Sequence, residues 1–570
     1  MSSSFKGYGK VDEADQARLD VHRRTRKRIA IIGLSTIVLV GVVLAAVLGT
    51  SHSSNGDSKS ANSPTAISSS IKAVCKVTQY PDSCFSSLSS LANSTQLDPL
   101  QLFKLSLKAA MKEISSAFNH LTGIKLKNTM DMMSEPALSD CKELLGLAVD
   151  HVNGSLLSSD LSSLDLVDDL KTWLSATGTY LQTCIDGFAN ATKEAQLQVS
   201  NSLKNSTEFT SNSLAILTGI FNVVDSFKLR RLMVYTSSEF PVWVSSKDRK
   251  LLANPDPKKN ADIVVAQDGS GKYKRIGDAL VSVPDMSEKR TVIYVKKGVY
   301  KENVWVDKSK WNVMMVGDGM NATIVTGSKN VVDGTPTFST ATFAVFGKGF
   351  IARDMQFQNT AGAVKQQAVA LMSNADQSVF YRCRFDGFQD TLYTHTNRQF
   401  YRECDVLGTV DFIFGNAAVV LQNCTIRPKV PMLGQQNTIT AQGKIDPNQN
   451  TGISIHNCQI YGAGNLSSVR TYLGRPWKDY STTVYMQSML GSLIDPAGWL
   501  PWVGDSVPNT IFYSEFQNHG PGSSMKNRVK WKGLRSIHSK QAIKFTVKSF
   551  IEGDRWISEA GVPYKSGLRE

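Results

Sequence analysis

A parallel β-helix, preceded by an all-α four-helix bundle and an N-terminal transmembrane helix, is the architecture this chain of 570 residues predicts. Three observations carry it. Phe380-Tyr381-Arg382-Cys383, Phe400-Tyr401-Arg402-Glu403-Cys404 and Leu421-Gln422-Asn423-Cys424 recur every 20–21 residues, and Ile455-His456-Asn457-Cys458 resumes the pattern after an insertion. Such a period, with short β-branched runs between polar turns, marks a solenoid. Earlier in the chain, apolar residues recur at three- and four-residue steps, the signature of packed helices. Before both, Arg23, Arg24, Arg26, Lys27 and Arg28 precede an uncharged stretch from Ile29 to Thr50. The length fits three or four units of roughly 150 residues.

Residues 1–28 form a basic tail. Segment 29–50 is longer than a signal-peptide core and long enough to span a bilayer. Positive residues stay cytosolic, so everything after Thr50 faces the lumen. The segment reads as a signal-anchor, with a cleaved signal peptide as the alternative. A lumenal chain can be glycosylated and disulfide-bonded. Asn-X-Ser/Thr sequons stand at Asn93, Asn153, Asn190, Asn205, Asn321, Asn423 and Asn465.

Residues 51–70, rich in Ser and Asn, read as a flexible linker. The bundle occupies 71–226. Asp98-Pro99 is a helix start, Asp as N-cap and Pro in the first turn. Leu100, Phe103, Leu107, Ala110, Ile114, Ala117 and Leu121 then form an apolar stripe. Similar patterns run through 138–152, 164–188 and 195–224. The region holds Cys75, Cys84, Cys141 and Cys184, which allow three connectivities. Cys75–Cys84 with Cys141–Cys184 is the simplest, and the spacings do not suit zinc. In the connector 227–259, the basic pairs Arg230-Arg231 and Arg249-Lys250 suit cutting by a processing protease of the secretory pathway.

From 260 to 570 the β-repeat dominates. It places Asp390, in Gly387-Phe388-Gln389-Asp390-Thr391, and Asp411, in Gly408-Thr409-Val410-Asp411-Phe412, at equivalent positions on adjacent coils. Adjacent strands lie roughly 4.8 Å apart, so the carboxylates share one face. Apolar neighbours desolvate them and disfavour the charged form. Two such groups drive their pKa values apart, which suits one to be an acid and the other a nucleophile or base. The same period stacks Cys383, Cys404 and Cys424, as buried free thiols or with a disulfide as the alternative, and makes Asn423 an interior residue, a poor glycan acceptor.

Amide side chains accompany the carboxylates. Gln389 adjoins Asp390, and Gln367 lies about one coil earlier; amide N–H groups aimed at a carbonyl make an oxyanion hole. Further on stands Arg475, in Leu473-Gly474-Arg475-Pro476-Trp477; an arginine near Asp411 would hold and orient it by a forked hydrogen bond. Trp477 offers a flat face of the kind sugar rings stack on.

Composition narrows the partners. The formal charge is +14, and residues 251–570 carry 37 Lys+Arg against 26 Asp+Glu. A basic surface favours polyanions. No nucleic-acid-binding signature accompanies it, so nucleic acid is not expected. No metal motif, serine elbow or nucleotide glycine loop appears, so the chemistry is expected to need only carboxylates and no cofactor.

These motifs closely resemble plant pectin methylesterases made as precursors with an N-terminal inhibitor-like region. The match includes Asp268-Gly269-Ser270-Gly271, Gly298-Val299-Tyr300, Gly317-Asp318-Gly319, Phe357-Gln358-Asn359-Thr360-Ala361-Gly362, the two aspartate motifs, Leu473–Trp477 and Gly498-Trp499. Residues 71–226 resemble the pectin methylesterase inhibitor, with its four cysteines in place. The resemblance implies a right-handed parallel β-helix that demethylates pectin, the methyl-esterified homogalacturonan of cell walls. It makes Asp411 the nucleophile, Asp390 the proton donor, Gln389 and Gln367 oxyanion stabilisers, and Arg475 the residue orienting Asp411. Thr337, Gln367, Arg475, Trp477, Tyr393 and Trp499 would contact substrate. The two basic linker sites suggest in addition that the bundle silences a membrane-bound precursor until the linker is cut and the enzyme is secreted to the cell wall. Met372 departs from the family, which usually carries Arg there, and Arg230-Arg231-Leu232-Met233 ends in Met where Leu is commoner.

Two other readings compete. Two carboxylates about 5 Å apart also suit a retaining glycoside hydrolase. An inert solenoid behind an active inhibitory bundle is the second, and the intact polar set argues against it.

Overall fold

The computed structural model describes residues 64–92, 98–123, 133–159, 164–228 and 257–569. The segment 29–50, the basic linker pairs at 230–231 and 249–250, and Asn93 lie outside the described residues. Among the described residues no helix is long and apolar enough to cross a membrane.

Six helices open the structure: α1 Pro64–Cys75, α2 Pro81–Leu91, α3 Pro99–Gly123, α4 Ser134–Leu157, α5 Leu164–Gly187 and α6 Lys193–Lys228. The last four form the expected bundle. α1 begins inside the segment read as a linker, which corrects that boundary. Its Ser-rich composition hid two anchors one turn apart, Ile71 and Cys75, both buried; packing, not propensity, holds such a short helix. Cys75–Cys84 ties α1 to α2, and Cys141–Cys184 ties α4 to α5. Asp98 caps α3 as a capping box. Its Oδ1 accepts from the Gln101 N–H at 2.8 Å, and its own N–H donates to Gln101 Oε1 at 3.1 Å. Downstream, Phe103, Leu107, Ala110, Ile114 and Leu121 are fully buried.

From Pro257 onward three parallel sheets of ten, seven and eight strands wind into a β-helix. In the seven-stranded sheet Leu371 pairs Leu392, and Leu392 pairs Ile413, two equal steps along the chain that keep the short repeat. The next two steps, Ile413 to Thr440 and Thr440 to Gly474, are each longer than the one before. The interior is a stack of like on like. Phe380 lies on Tyr401 at 4.8 Å between ring centroids, and Phe357 on Phe385 at 5.8 Å. Cys383, Cys404, Cys424 and Cys458 form a ladder of buried free thiols. Fully burying an aromatic of this size contributes about 1.5–3 kcal/mol.

Asn423 does stack, accepting from Asn457 Nδ2 at 3.2 Å, but on the outside of the coil, where it is exposed. Cys424 takes the interior place, so its neighbour in the turn faces water. The described sequon residues Asn153, Asn190, Asn205, Asn321 and Asn465 are exposed as well.

The bundle docks on the seven-stranded sheet through α5. Tyr180 Oη bonds Thr396 Oγ1 at 3.2 Å, Thr183 Oγ1 bonds His395 Nε2 at 2.7 Å, and Asn416 Nδ2 donates to Thr179 Oγ1 at 2.9 Å. Ion pairs join Asp150 to Lys308, Asp169 to Arg398 and Asp186 to Lys478. Apolar packing runs unbroken from the bundle core to Phe338, Tyr393, Phe414 and Met372. Met372 is therefore an interface residue beneath the helices.

Candidate active site

The seven-stranded sheet carries the site. Asp390 precedes the strand Leu392–Thr394 and Asp411 precedes the neighbouring strand Ile413–Gly415. Both adopt left-handed backbone, φ 62° and 52°. Aspartate tolerates this region better than bulkier residues do. The Asp390 N–H donates to the Val410 carbonyl at 3.1 Å, locking one aspartate turn to the other.

Asp411 is held on every side. Arg475 Nε donates to Oδ1 at 2.9 Å and to Oδ2 at 3.2 Å, and its Nη2 donates to Oδ2 at 2.7 Å. The Thr438 hydroxyl donates to Oδ1 at 2.6 Å and accepts from the Asp411 N–H at 2.9 Å. Asp390 has no such clasp. Burial pushes its carboxyl well above the usual range, the field of Asp411 adds to this, and Arg475 only partly offsets it. The two carboxyls thus differ: one is fixed by hydrogen bonds, the other favours its proton.

A cavity of about 320 Å³ opens over them. From the β-helix it is lined by Thr337, Gln367, Gln389, Tyr393, Arg475 and Trp477 as well as the aspartates. The buried Gln367 Oε1 has no hydrogen-bond partner among the described residues. Tyr393 stacks on Phe414 at 4.1 Å, and Phe414 meets Trp477 at 6.1 Å, giving one wall an aromatic face. Gly443 is required beneath Trp477, because a Cβ there would stand 2.8 Å from the indole.

One expected contact fails. Trp499 is 1% exposed and belongs to the β-helix core, where its indole N–H donates to Glu515 Oε1 at 3.1 Å. Its motif reads equally well as a core turn. The tryptophan that lines the cavity beside Trp477 is instead Trp502, slightly later in the chain, with the Arg475 guanidinium 4.3 Å from its ring centroid. Sequence reasoning also missed Thr438. It follows Asp411 across the first lengthened coil, where the regular period no longer points.

The other walls come from the bundle: Asp140 of α4, and Thr183 and Asp186 near the end of α5. Asp140 accepts from Ser339 Oγ at 2.5 Å, and burial pushes its carboxyl up to about 7. His395, buried between Thr183 and Asn374, is driven down to about 3 by burial.

Comparison with known proteins follows this division of the chain. The family model "Pectinesterase" matches residues 262–554, and the model "Plant invertase/pectin methylesterase inhibitor" matches residues 69–216. The chain is 54% identical over 566 residues to a protein of Arabidopsis thaliana described as putative pectinesterase/pectinesterase inhibitor 24, covering 98% of this chain and 99% of that one. Probable pectinesterase/pectinesterase inhibitor 46 of the same plant is 54% identical over 569 residues, covering 99% and 100%. The solved structure of the pectin methylesterase from carrot superposes with a TM-score of 0.53 at 52% identity, covering 54% of this chain and 98% of its own. A β-helix of this kind therefore stands as a folded protein without a helical bundle.

Proposed function

Because this chain belongs to the pectinesterase family, we propose that Asp411 is its nucleophile and Asp390 its proton donor. The activity is hydrolysis of the methyl esters of galacturonate units in pectin, releasing methanol and leaving acidic pectin. The enzyme is secreted and modifies the plant cell wall.

In the proposed sequence, an Asp411 oxygen bonds to the ester carbonyl carbon, and the carbonyl electron pair moves onto oxygen. The Gln367 and Gln389 amides face that developing charge. Collapse breaks the bond to the methoxy group, and Asp390 gives its proton to the departing methanol. Water then attacks the acyl-enzyme, Asp390 takes the water's proton, and Asp411 leaves as a carboxylate. Arg475 orients Asp411 throughout, and Thr337, Tyr393 and Trp477 grip the sugar chain. The observation that supports this most is the contrast between the two aspartates: Asp411 clasped by Arg475 and Thr438, Asp390 buried beside it and shifted towards its protonated form.

The bundle acts as an internal inhibitor. Asp140, Thr183 and Asp186 line the cavity over both aspartates, in the space that a polysaccharide would need. Release would follow cutting at Arg230-Arg231 or Arg249-Lys250, and segment 29–50 would hold the precursor in the membrane until then; the support for both is the sequence pattern. The test is methanol release from highly methylated pectin by the full chain, by residues 255–570, and by residues 255–570 with Asp411→Ala. The expected order is low, high and none. A full chain as active as the β-helix portion would remove the silencing role, and an active Ala variant would remove the nucleophile.

A further inference from the structure

Asp186 sits where a polar group of the inhibitory helix has no obvious business: it lines the catalytic cavity, and its partner stands over the ring of Trp477, which lines the same cavity. Lys478 Nζ donates to Asp186 Oδ1 at 2.7 Å and lies 5.2 Å from the Trp477 ring centroid. Gln182 Nε2 donates to the same carboxylate oxygen at 2.8 Å. We infer that Lys478 is a subsite for a free galacturonate carboxylate, and that Asp186 occupies it as a substitute while the bundle is docked. The inference rests on the reading of this cavity as the pectin site.

The chemistry of the substrate points the same way. Pectin presents sugar rings, methyl esters and, after each turnover, carboxylates. Trp477 offers a flat face for a ring, and Lys478, its ammonium over the indole, offers the charge for the carboxylate that ring carries. The Asp186 carboxylate is close enough to the reaction centre for its field, with that of Asp390, to add to the burial that raises the Tyr393 phenol, against the lowering effect of the Thr183 hydrogen bond. A tether serving only to hold two domains together could stand anywhere on the interface, as Asp150–Lys308 does on its exposed rim. Once the bundle leaves, Lys478 and Trp477 face the cleft together. The enzyme then favours esters on chains that already carry a free acid nearby.

Residues 255–570 test this with two probes: fully methylated galacturonan oligomers, and the same oligomers after partial random saponification. The readout is the ratio of kcat/KM on the saponified to the fully methylated probe, from methanol release. The parent prefers the saponified probe, and Lys478→Met lowers the ratio by roughly fivefold, through KM, as expected for a charge-assisted contact discounted for partial exposure. Lys478→Arg restores most of it. The preference shrinks as salt rises. An unchanged ratio in Lys478→Met, or an equal loss on both probes with no rescue by Arg, would overturn the inference. No methanol from the parent on either probe would instead overturn the reading of the cavity, and the subsite with it.

Discussion

Asp390 and Asp411 occupy the same position of the repeat, held at φ 62° and 52° on neighbouring coils, yet their surroundings differ completely. Arg475 reaches only Asp411 with hydrogen bonds, and Asp390 is left to burial and its neighbour's charge. One repeat unit thus yields two chemically unlike carboxyls.

Exchanging each for a neutral side chain separates the roles. In residues 255–570, Asp411→Ala abolishes turnover and leaves pectin binding largely intact. Asp390→Asn keeps the shape and the backbone bond but has no acidic proton to give, so turnover falls by about 10²–10⁴-fold. Single-turnover methanol release with a parallel pectin-binding isotherm checks both. A large loss of binding in either variant would recast that aspartate as a substrate holder.

Arg475 presents a planar fork that lysine cannot copy. Arg475→Lys therefore lowers kcat by about 10- to 100-fold, the range expected for losing a forked charge-assisted pair. Steady-state kinetics decide it. If kcat stayed normal and only KM rose, Arg475 would be a binding residue and the orientation of Asp411 would come from Thr438.

The two tryptophans divide stability from function. Trp499→Ala empties a core position and destabilises the β-helix by about 3–5 kcal/mol. Trp502→Ala leaves the core filled, so denaturant midpoints stay close to the parent while kcat/KM drops. Chemical unfolding and methanol release on both variants check this, and a destabilised Trp502 variant with normal kinetics would reverse the assignment.

Docking of the bundle carries a pH signature at Asp140. Its carboxyl rises from an ordinary 3.8 to about 7 when burial outweighs the Ser339 hydrogen bond and the field of Lys329. The docked state binds the extra proton, so this group's contribution to docking is complete below about pH 4 and is lost as pH climbs towards 7. His395, depressed to about 3, acts with the opposite sign and resists docking as pH falls below its ordinary 6.5. Asp140→Asn removes the first effect and keeps the second. Relative to residues 255–570, the full-length parent gains activity between about pH 5 and 7 more steeply than the Asn variant. Identical slopes would exclude Asp140 from the pH response.

The candidate site was legible because its carboxylates are periodic. Asp390, Asp411 and the cysteines recur at the coil length, so the repeat alone stacks them. Gln367, Gln389 and Trp477 were singled out by their sequence setting and chemistry, Thr337 and Tyr393 by family resemblance, and all reach the cavity. What could not be read depends on lengthened coils or on two distant segments meeting. Thr438 and Trp502 follow insertions that break the period, and Asp140 and Asp186 enter from helices far away in sequence from the aspartates they cover. Trp499 and Asn423 were misplaced by a single choice, inside or outside a turn, which periodicity does not resolve when strands are so short.

The unequal coils give the enzyme a rigid spine with an adjustable rim. The coils bearing the aspartates keep the short repeat, and the following ones lengthen. The added chain forms loops beside the cleft: Leu433 is wholly exposed on one of them, and Gln435 and Gln436 of the same loop share a pocket with Gln389 and Arg475. Each coil contacts only its neighbours, so loop length can change without altering the stacking beneath. A single scaffold can accordingly be refitted for polymers of different texture by editing its outer loops, with the reacting pair left where it stands.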